Sequence, residues 1–139
     1  MGKETVFTKI RDGIIPSYKL YEDEYCFVIL DINPVSKGHG LVISKEPYSD
    51  MSECPADVLS HLVVVASELD KRFREKLKCD ATNVVINNGP ASGQEVPHIH
   101  IHVIPRYKDD KVKFCFTHVA YAEGEMERYF NELSFHELR

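Results

Sequence analysis

Three histidines alternate with aliphatic residues in one short stretch of the chain, between Pro97 and Pro105. The alternation has period two and the intervening residues are β-branched, so the pattern predicts a strand. Side chains on a strand point alternately to opposite faces, so we expect His98, His100 and His102 to form a surface-facing row while the aliphatic residues enter the core. Imidazoles in such a row can act as nucleophiles, as acids or bases, as phosphate donors or as metal ligands.

A metal site is one interpretation of the row. At about 3.3 Å per residue, His98 and His102 are about 13 Å apart along a strand. A zinc–imidazole bond is only about 2.0–2.1 Å long, so one ion can take two neighbouring histidines, and all three only under strain. A two-histidine site then needs Cys, Asp, Glu or another His from elsewhere in the chain. The other interpretation is that the imidazoles perform the chemistry themselves.

The residues around the row resemble the signature of the histidine triad (HIT) family of nucleotide-binding proteins. That signature is His-φ-His-φ-His-φ-φ, where φ is apolar, and Val103 and Ile104 complete it. The upstream segments that match the family's pattern are Ile14–Ser17, Leu20–Asp23, Leu30–Pro34, Gly38–Ile43 and Asn87–Gln94. Several ordered segments with compatible spacing are more specific than one short motif. The resemblance covers most of the chain, from residue 5 to residue 107.

The resemblance implies a role for each of four histidines. The middle histidine of the row, here His100, attacks the α-phosphorus of a nucleotide and forms a nucleotidyl-histidine intermediate that water cleaves. His98 and the upstream His39 are implied to hold the other ring nitrogen of this nucleophile. His102 is one strand step from His100 and is expected to donate a hydrogen bond to phosphate or to the leaving group. Neutral imidazole, with a pKa near 6.5, is a competent nucleophile at pH 7 without a metal.

The glycine-rich segment ahead of the row resembles the family's phosphate loop. Glycine lets a phosphate approach backbone N–H groups closely, although a strand connection is also often rich in glycine and proline. Gly89, Gly93 and the amide of Gln94 suit the phosphate role, and Asn87 offers a side-chain amide. Asp31 is implied to accept hydrogen bonds from the ribose hydroxyls, or else is a turn residue ahead of Pro34. The full nucleotide site implied by the resemblance is Ile10, Ile15, Ile29 and Ile32 around the base, with Asp31, Asn87, Gly93, Gln94, Glu95 and Val96.

Two positions depart from patterns found in the family. Some members bind zinc through an N-terminal Cys-x-x-Cys together with histidines, whereas the equivalent positions here are Thr5 and Thr8. Hydroxyls are poor zinc ligands beside thiolates, so we expect no metal and no cofactor. Glu95 stands where phosphoramidase-type relatives often have a serine, and a carboxylate beside a phosphate is repulsive unless it is protonated or turned outward.

The composition predicts one small domain over residues 1–139. The chain is 43% hydrophobic and 28% charged, which is enough for a real core. Its four cysteines show no paired spacing, which favours reduced thiols and a cytoplasmic location, with access to the nucleus left open. The net charge of −5 argues against broad nucleic-acid binding. No apolar run approaches the length of a membrane span.

Strand and helix patterns together predict an α+β domain. Strands are expected over residues 19–21, 25–30, 41–44, 82–87 and 99–104. Apolar residues at helical spacing predict one long helix over residues 55–77, with Pro55 at its first position and Ser52 or Cys54 as its cap. Short terminal helices are expected over residues 5–12 and 123–133. The resemblance implies a five-stranded antiparallel sheet and a homodimer whose two sheets join across a shared interface.

The sequence thus predicts an enzyme, with alternatives in other classes. The leading hypothesis is a hydrolase or transferase that removes a substituent from the α-phosphate of a purine nucleotide through His100. An adenosine phosphoramidate or a dinucleoside polyphosphate is the expected type of substrate. The alternatives are a non-catalytic nucleotide-binding or scaffold protein with the same pocket, and a metal-dependent hydrolase that uses paired histidines.

Overall fold

The computed structural model describes residues 3–138 of the chain. The strands are β1 (Lys19–Glu22), β2 (Cys26–Leu30), β3 (Gly40–Ser44), β4 (Ala81–Ile86) and β5 (His100–Arg106). The α-helices are α1 (Val6–Arg11), α2 (Ala56–Arg72) and α3 (Glu125–Leu133). A π-helical turn, Phe73–Leu77, continues α2, and a 3₁₀ turn, Pro90–Ser92, lies between β4 and β5. The α+β class, the antiparallel sheet and the single long helix are confirmed.

The five strands form one antiparallel sheet in the order β1-β2-β3-β5-β4. This order places β5 between β3 and β4, so the histidine strand is bonded on both sides. His100 is opposite Ile43 of β3, and His102 is opposite Leu41 of β3 and Val85 of β4. The register therefore holds His102 by pairing on both edges of β5, and His100 by pairing with β3.

Each face of the sheet has its own apolar cluster. Helix α2 packs on one face, where Leu62, Ala66 and Leu69 meet Val42 and Ile101. The short helix α1 covers the other face, where Phe7 and Ile10 join a second buried cluster from β2 and β3. Side chains alternate along the strands, which is why consecutive residues of β2 enter different clusters.

The histidine row faces α1 rather than solvent, so the expectation of a surface-facing row is wrong. His98 is 0% exposed and His100 only 7% exposed. The ring of Phe7 meets both imidazoles edge-on, with ring centroids 5.5 Å from His98 and 4.9 Å from His100. The alternating pattern correctly assigned the three histidines to one face, but it carries no information about a six-residue helix that covers that face.

Helix α2 begins differently from the sequence expectation. Pro55 is the N-cap residue rather than the first helical residue, and it makes no side-chain capping hydrogen bond. The expected caps, Ser52 and Cys54, therefore do not serve that role. At the other end, Lys78 has a left-handed backbone, with φ 57°, and ends the helical segment three residues before β4 begins at Ala81.

The C-terminal segment extends away from both clusters. Residues 113–124 are exposed and contain neither helix nor strand, and α3 follows them with no buried residue. Large apolar side chains in this segment are exposed, including Phe116, Phe130 and Leu133. No helix within residues 3–138 combines the length and the hydropathy that crossing a membrane requires.

Candidate active site

His100 is oriented by the backbone just before its own strand. Its Nδ1–H donates to the carbonyl of His98 at 2.7 Å, because a carbonyl can only accept. The proton on Nδ1 leaves the lone pair on Nε2 in the neutral ring. Burial lowers the pKa of His100, while Asp31 and Glu95 raise it to a smaller extent. The site therefore holds a neutral imidazole in one defined tautomer.

His98 has a structural role in the same network. Its Nε2–H donates to the carbonyl of Ser44 at 2.7 Å, so its Nδ1 accepts the hydroxyl proton of Thr5, also at 2.7 Å. Thr5 in turn accepts the N–H of Thr8 and is the N-cap of α1. Burial lowers the pKa of His98 to about 4, so the ring is neutral at pH 7. Both ring nitrogens are in use, and it is the backbone carbonyl of His98 that contacts His100.

His102 and His39 form a second, directional hydrogen-bonded chain. The N–H of Val35 donates to Nδ1 of His39 at 3.1 Å, which leaves the proton of His39 on Nε2. That proton is donated to Nδ1 of His102 at 3.0 Å, so the proton of His102 is on its own Nε2. Burial lowers the pKa of His39, and it lowers that of His102 to about 4. His39 thus orients His102, whereas the resemblance implied that it would hold His100.

The directions of these hydrogen bonds single out one nitrogen. The unprotonated Nδ1 atoms of His98, His39 and His102 accept hydrogen bonds from Thr5, Val35 and His39 respectively. Among the four rings, Nε2 of His100 is the unprotonated nitrogen that has no donor within residues 3–138. The ring of His102 is 4.9 Å away by centroid and presents an N–H. A base with a free lone pair thus lies beside a hydrogen-bond donor.

Asp31 makes a turn contact and lies beside the histidine pair. Its Oδ1 accepts the N–H of Asn33 at 2.9 Å, which is the contact of a turn residue. Its Oδ2 lies 3.7 Å from Nε2 of His39, at the edge of the histidine pair. Asp31, His39 and His102 each offer a ligand atom within 4.8 Å of the others, so they are the residues here that could hold a metal ion.

The glycine-rich loop is held in place by amide side chains. Gln94 accepts the N–H of Gly89 and donates to the carbonyl of Ser49, both at 2.7 Å. The N–H of Gly93 donates to the carbonyl of Pro90 at 3.0 Å. These two glycine amides, expected as phosphate donors, are therefore already used inside the loop. The backbone N–H of Gln94, also expected as a donor, has no acceptor within the described part of the chain.

The remaining residues of the implied nucleotide site range from buried to fully exposed. Ile10 and Ile29 are buried in the cluster beneath α1, and Ile15 packs against it. Ile32 is 99% exposed, so it does not line a slot in this structure. Val96 packs against the same cluster, Asn87 is half-buried after β4, and Glu95 is exposed. The carboxylate of Glu95 is exposed, yet it is close enough to His100 to raise the pKa of that ring.

Comparison with protein families identifies the chain. The family model described as the HIT domain matches residues 12–109. The chain belongs to the HIT family. An uncharacterized HIT-like protein of Methanocaldococcus jannaschii is 44% identical over 105 residues, which is 76% of this chain and 81% of that protein. The HIT resemblance stated from the motifs is thereby confirmed.

Two HIT relatives have names that state an activity. Adenylylsulfatase of Arabidopsis thaliana is 40% identical over 110 residues, which is 79% of this chain and 56% of the plant protein. Adenosine 5′-monophosphoramidase of Saccharomyces cerevisiae is 39% identical over 106 residues, covering 76% of this chain and 64% of the yeast protein. The chain thus spans less than two thirds of the length of these two relatives.

Solved HIT structures agree with the fold. A HIT family protein from Bacillus anthracis matches with a TM-score of 0.85 and 30% identity, and the match covers 96% of each chain. A zinc-bound histidine triad family protein from Mycobacterium smegmatis matches with a TM-score of 0.76 and 40% identity, over 78% of this chain and 79% of that one.

The N-terminal residues of this HIT chain do not fit a zinc site. Thr5 and Thr8, which stand at the Cys-x-x-Cys positions, bond to each other's backbone in a capping box. The Thr5 hydroxyl also occupies Nδ1 of His98, and the carbonyl of Ser44 occupies its Nε2. The two hydroxyls are neutral and already hydrogen-bonded, so they do not offer zinc the charge of a thiolate. The imidazole of His98 has no free nitrogen to offer. We therefore assign no step of the chemistry to a metal at this position.

Sequence reasoning missed three contacts that shape this HIT site. Phe7 covers the row, Val35 sets the tautomer of His39, and Ser44 sets that of His98. The Val35 and Ser44 contacts use backbone groups, which any residue type supplies, so no sequence signal could reveal them. Phe7 had a signal, because it is an aromatic residue in a helix next to the threonines already noted.

Proposed function

We propose that this HIT protein is a nucleotide hydrolase or transferase whose nucleophile is Nε2 of His100. The observation that carries the proposal is the 2.7 Å hydrogen bond from His100 Nδ1–H to the carbonyl of His98, which leaves the Nε2 lone pair free. Burial lowers the pKa of the ring, so the neutral, nucleophilic form predominates at pH 7. An imidazole held in this tautomer by an acceptor is an activated nucleophile.

The proposed reaction has two displacement steps. Nε2 of His100 attacks the α-phosphorus of a purine nucleotide, and a P–N bond forms as the bond to the leaving group breaks with its electron pair. Water or another hydroxyl acceptor then attacks phosphorus, a P–O bond forms as the P–N bond breaks, the proton of the attacking hydroxyl is released to solvent, and His100 returns to its neutral form. His102 presents its Nε2–H beside His100 and is the proposed donor to a phosphate oxygen or to the leaving group. Splitting one difficult displacement into two is the advantage of a covalent intermediate.

The proposed nucleotide pocket lies on the α1 face of the sheet. The backbone N–H of Gln94 is the proposed phosphate donor, because the amides of Gly89 and Gly93 are used within the loop. The Oδ2 atom of Asp31 is proposed to accept from the ribose hydroxyls. Apolar side chains around Ile15 are proposed to contact the base, next to the buried cluster beneath α1.

The names of two relatives narrow the proposed substrates. An adenosine monophosphoramidase and an adenylylsulfatase are both named for substrates in which adenylate carries a substituent on its phosphate. We extend this class to the present chain, with dinucleoside polyphosphates as a third candidate. In all three, attack at the α-phosphorus releases a group that differs in basicity, so relative rates report how much help the leaving group needs.

A substrate panel tests the proposal against a non-catalytic role. The panel contains an adenosine phosphoramidate, adenylyl sulfate and a dinucleoside polyphosphate, and kcat/KM is measured for each alongside AMP binding by calorimetry. Turnover of at least one compound supports an enzyme. AMP binding without turnover of any of the three compounds would support a nucleotide-binding scaffold instead.

We also propose that the protein is a homodimer and that it is located in the cytoplasm. The exposed apolar side chains of the C-terminal segment support a second copy as their partner, because such a patch is uncommon on a monomer. Met126, Tyr129, Phe130 and Leu133 recur at helical spacing along α3, which gives this patch one face. Light scattering after size-exclusion chromatography tests the proposal, since the dimer has twice the mass of the 15.9 kDa chain.

A further inference from the structure

Asp23, Cys26 and His61 converge on the side of the sheet opposite the histidine row. One ligand atom from each residue lies within 4.8 Å of the others. Asp23 lies in the turn between β1 and β2, Cys26 begins β2, and His61 is in α2, so three separate elements supply the group. Cys26 belongs to the cluster beneath α2, whereas His100 packs against Phe7 of α1. The group is therefore separate from the candidate active site.

The carboxylate of Asp23 is held in one orientation. Its Oδ1 accepts the backbone N–H groups of Tyr25 at 2.8 Å and Cys26 at 2.9 Å. Its Oδ2 accepts the Tyr21 hydroxyl at 2.8 Å and lies 2.5 Å from Nε2 of His61. Hydrogen bonds of this kind orient the ligands of protein metal sites and reduce the cost of assembling them. The oxygen that faces the imidazole is thus positioned before any ion arrives.

The accessibility of the group suits an ion from solution. The side chains of His61 and Asp23 are 31% and 20% exposed, while Cys26 is fully buried at the inner end. An ion can reach the imidazole and carboxylate from solvent and then contact the sulfur. A thiolate and a carboxylate together neutralise a divalent cation, and the ring of Tyr25, with its centroid 4.9 Å from that of His61, limits the imidazole's movement.

We infer that Asp23, Cys26 and His61 form a binding site for a thiophilic divalent ion, with Zn²⁺ as the expected ligand. One sulfur, one imidazole nitrogen and one carboxylate oxygen are a ligand set that zinc accepts, and water would complete a tetrahedron. Mg²⁺ and Ca²⁺ are disfavoured because they prefer oxygen ligands. On binding, the S–H bond of Cys26 breaks, a Zn–S bond forms and one proton is released to solvent.

The site would join two distant parts of the chain. It links the β1–β2 turn to α2, whose contributing residues are 38 positions apart in sequence. Such a link stabilises the folded chain whenever the ion binds it in preference to the unfolded chain. The sequence expectation of no metal rested on Thr5 and Thr8 at the Cys-x-x-Cys positions, and it did not consider this group, because His61 joins Asp23 and Cys26 only through the fold.

Cobalt titration of the metal-free full-length protein tests the inference. Co²⁺ replaces zinc and gives a near-ultraviolet charge-transfer band when a thiolate binds it. We expect this band in the wild type at one equivalent, and its displacement by Zn²⁺. Cys26→Ser should lose the band, while Cys79→Ser, which removes another buried thiol, should keep it. His61→Gln should weaken binding more than about 100-fold, since even groups that only hydrogen-bond to a zinc ligand contribute about 10–100-fold.

Further variants exclude other ion sites. His102→Gln removes a member of the Asp31–His39–His102 group and should leave the cobalt band unchanged. Because His61 is partly exposed, His61→Gln keeps the test decisive if Cys26→Ser fails to fold. Thermal unfolding should shift upward with Zn²⁺ in the wild type and in His102→Gln, but not in His61→Gln. Absence of the band in the wild type, or its survival in Cys26→Ser or His61→Gln, would overturn the inference.

Discussion

Individual hydrogen bonds determine where the protons of this HIT site lie. Two carbonyl groups, which carry no proton, require His98 to be protonated on Nε2 and His100 on Nδ1. Two neighbouring histidines of the row therefore have opposite tautomers. This difference separates a ring that holds the structure together from a ring that is free to react.

Thr5 is a positioning residue in this network, and its removal gives a first prediction. Thr5→Val keeps the shape but leaves Nδ1 of His98 without a donor and α1 without its cap. We expect a loss of about 2 kcal/mol in the free energy of unfolding, from the buried unpaired nitrogen and the lost cap. We also expect a lower kcat with little change in KM, because the His98 carbonyl that orients His100 moves.

Thr5→Ser is the matched control, since it keeps the hydroxyl. Urea unfolding and steady-state kinetics on both variants provide the measurements. If Thr5→Val lowers stability but leaves kcat at the level of Thr5→Ser, then Thr5 only stabilises the fold.

Asp31 gives a second prediction at the same scale. If its Oδ2 accepts a hydrogen bond from ribose, ribonucleotides should exceed 2′,3′-dideoxy analogues in kcat/KM by roughly 10- to 100-fold, as one hydrogen bond to a charged group contributes about 1.5–3 kcal/mol. Asp31→Asn keeps an acceptor for the N–H of Asn33 but removes the charge, so it should narrow this gap without unfolding the turn. Asp31→Ala should narrow the gap and also destabilise the chain. An unchanged sugar preference in Asp31→Asn would restrict Asp31 to its turn.

At the scale of elements, periodicity predicted most of the fold. The period-two pattern located β5 to within two residues at each end, because alternating β-branched residues specify both a strand and its faces. The long helical pattern did not distinguish α2 from the π-helical turn after it, because Phe73 and Leu77 continue the same spacing. The N-cap of α2 and the covering of the histidine row by α1 were not predicted. The first depends on backbone contacts, and the second depends on the packing of α1 against Phe27 and Ile43.

Helix α1 packs against buried histidines, and this burial gives a third prediction, for the dependence of stability on pH. Burial lowers the pKa of His98 and of His102 to about 4, well below the ordinary histidine pKa of about 6.5. The unfolded chain therefore binds protons at a higher pH than the folded chain does. Stability should be complete above pH 6.5 and should fall as the pH decreases from 6.5 to 4, by about 1.4 kcal/mol per pH unit for each such histidine.

Urea unfolding at half-unit steps from pH 7.5 to 4.5 measures this effect. His118→Gln, which removes an exposed histidine of the C-terminal segment, should reproduce the wild-type curve. A stability that stays constant between pH 6.5 and 4.5 would mean that the histidines are not buried as neutral rings.

At the scale of the whole molecule, the contacts within one chain do not explain the exposed apolar side chains of the C-terminal segment. Its apolar side chains pack against neither cluster, and its patterning alone could not have indicated what covers them. Phe130→Glu places a charge on the apolar face of α3 at a position that is 68% exposed. We expect this variant to fold and to run as a monomer in light scattering.

Asn131→Glu adds the same charge to the neighbouring position of α3 and should remain a dimer. A monomeric wild type, or a dimer that persists in Phe130→Glu, would contradict the proposed role of this face.

The most direct test of the account is the turnover of His100→Asn. Asparagine keeps an N–H that can donate to the His98 carbonyl but has no atom equivalent to the free Nε2. On the best substrate of the panel, we expect kcat to fall by at least about 10³-fold while AMP still binds, because a covalent nucleophile has been removed. A His100→Asn variant that retains most of the wild-type kcat would show that His100 is not the nucleophile.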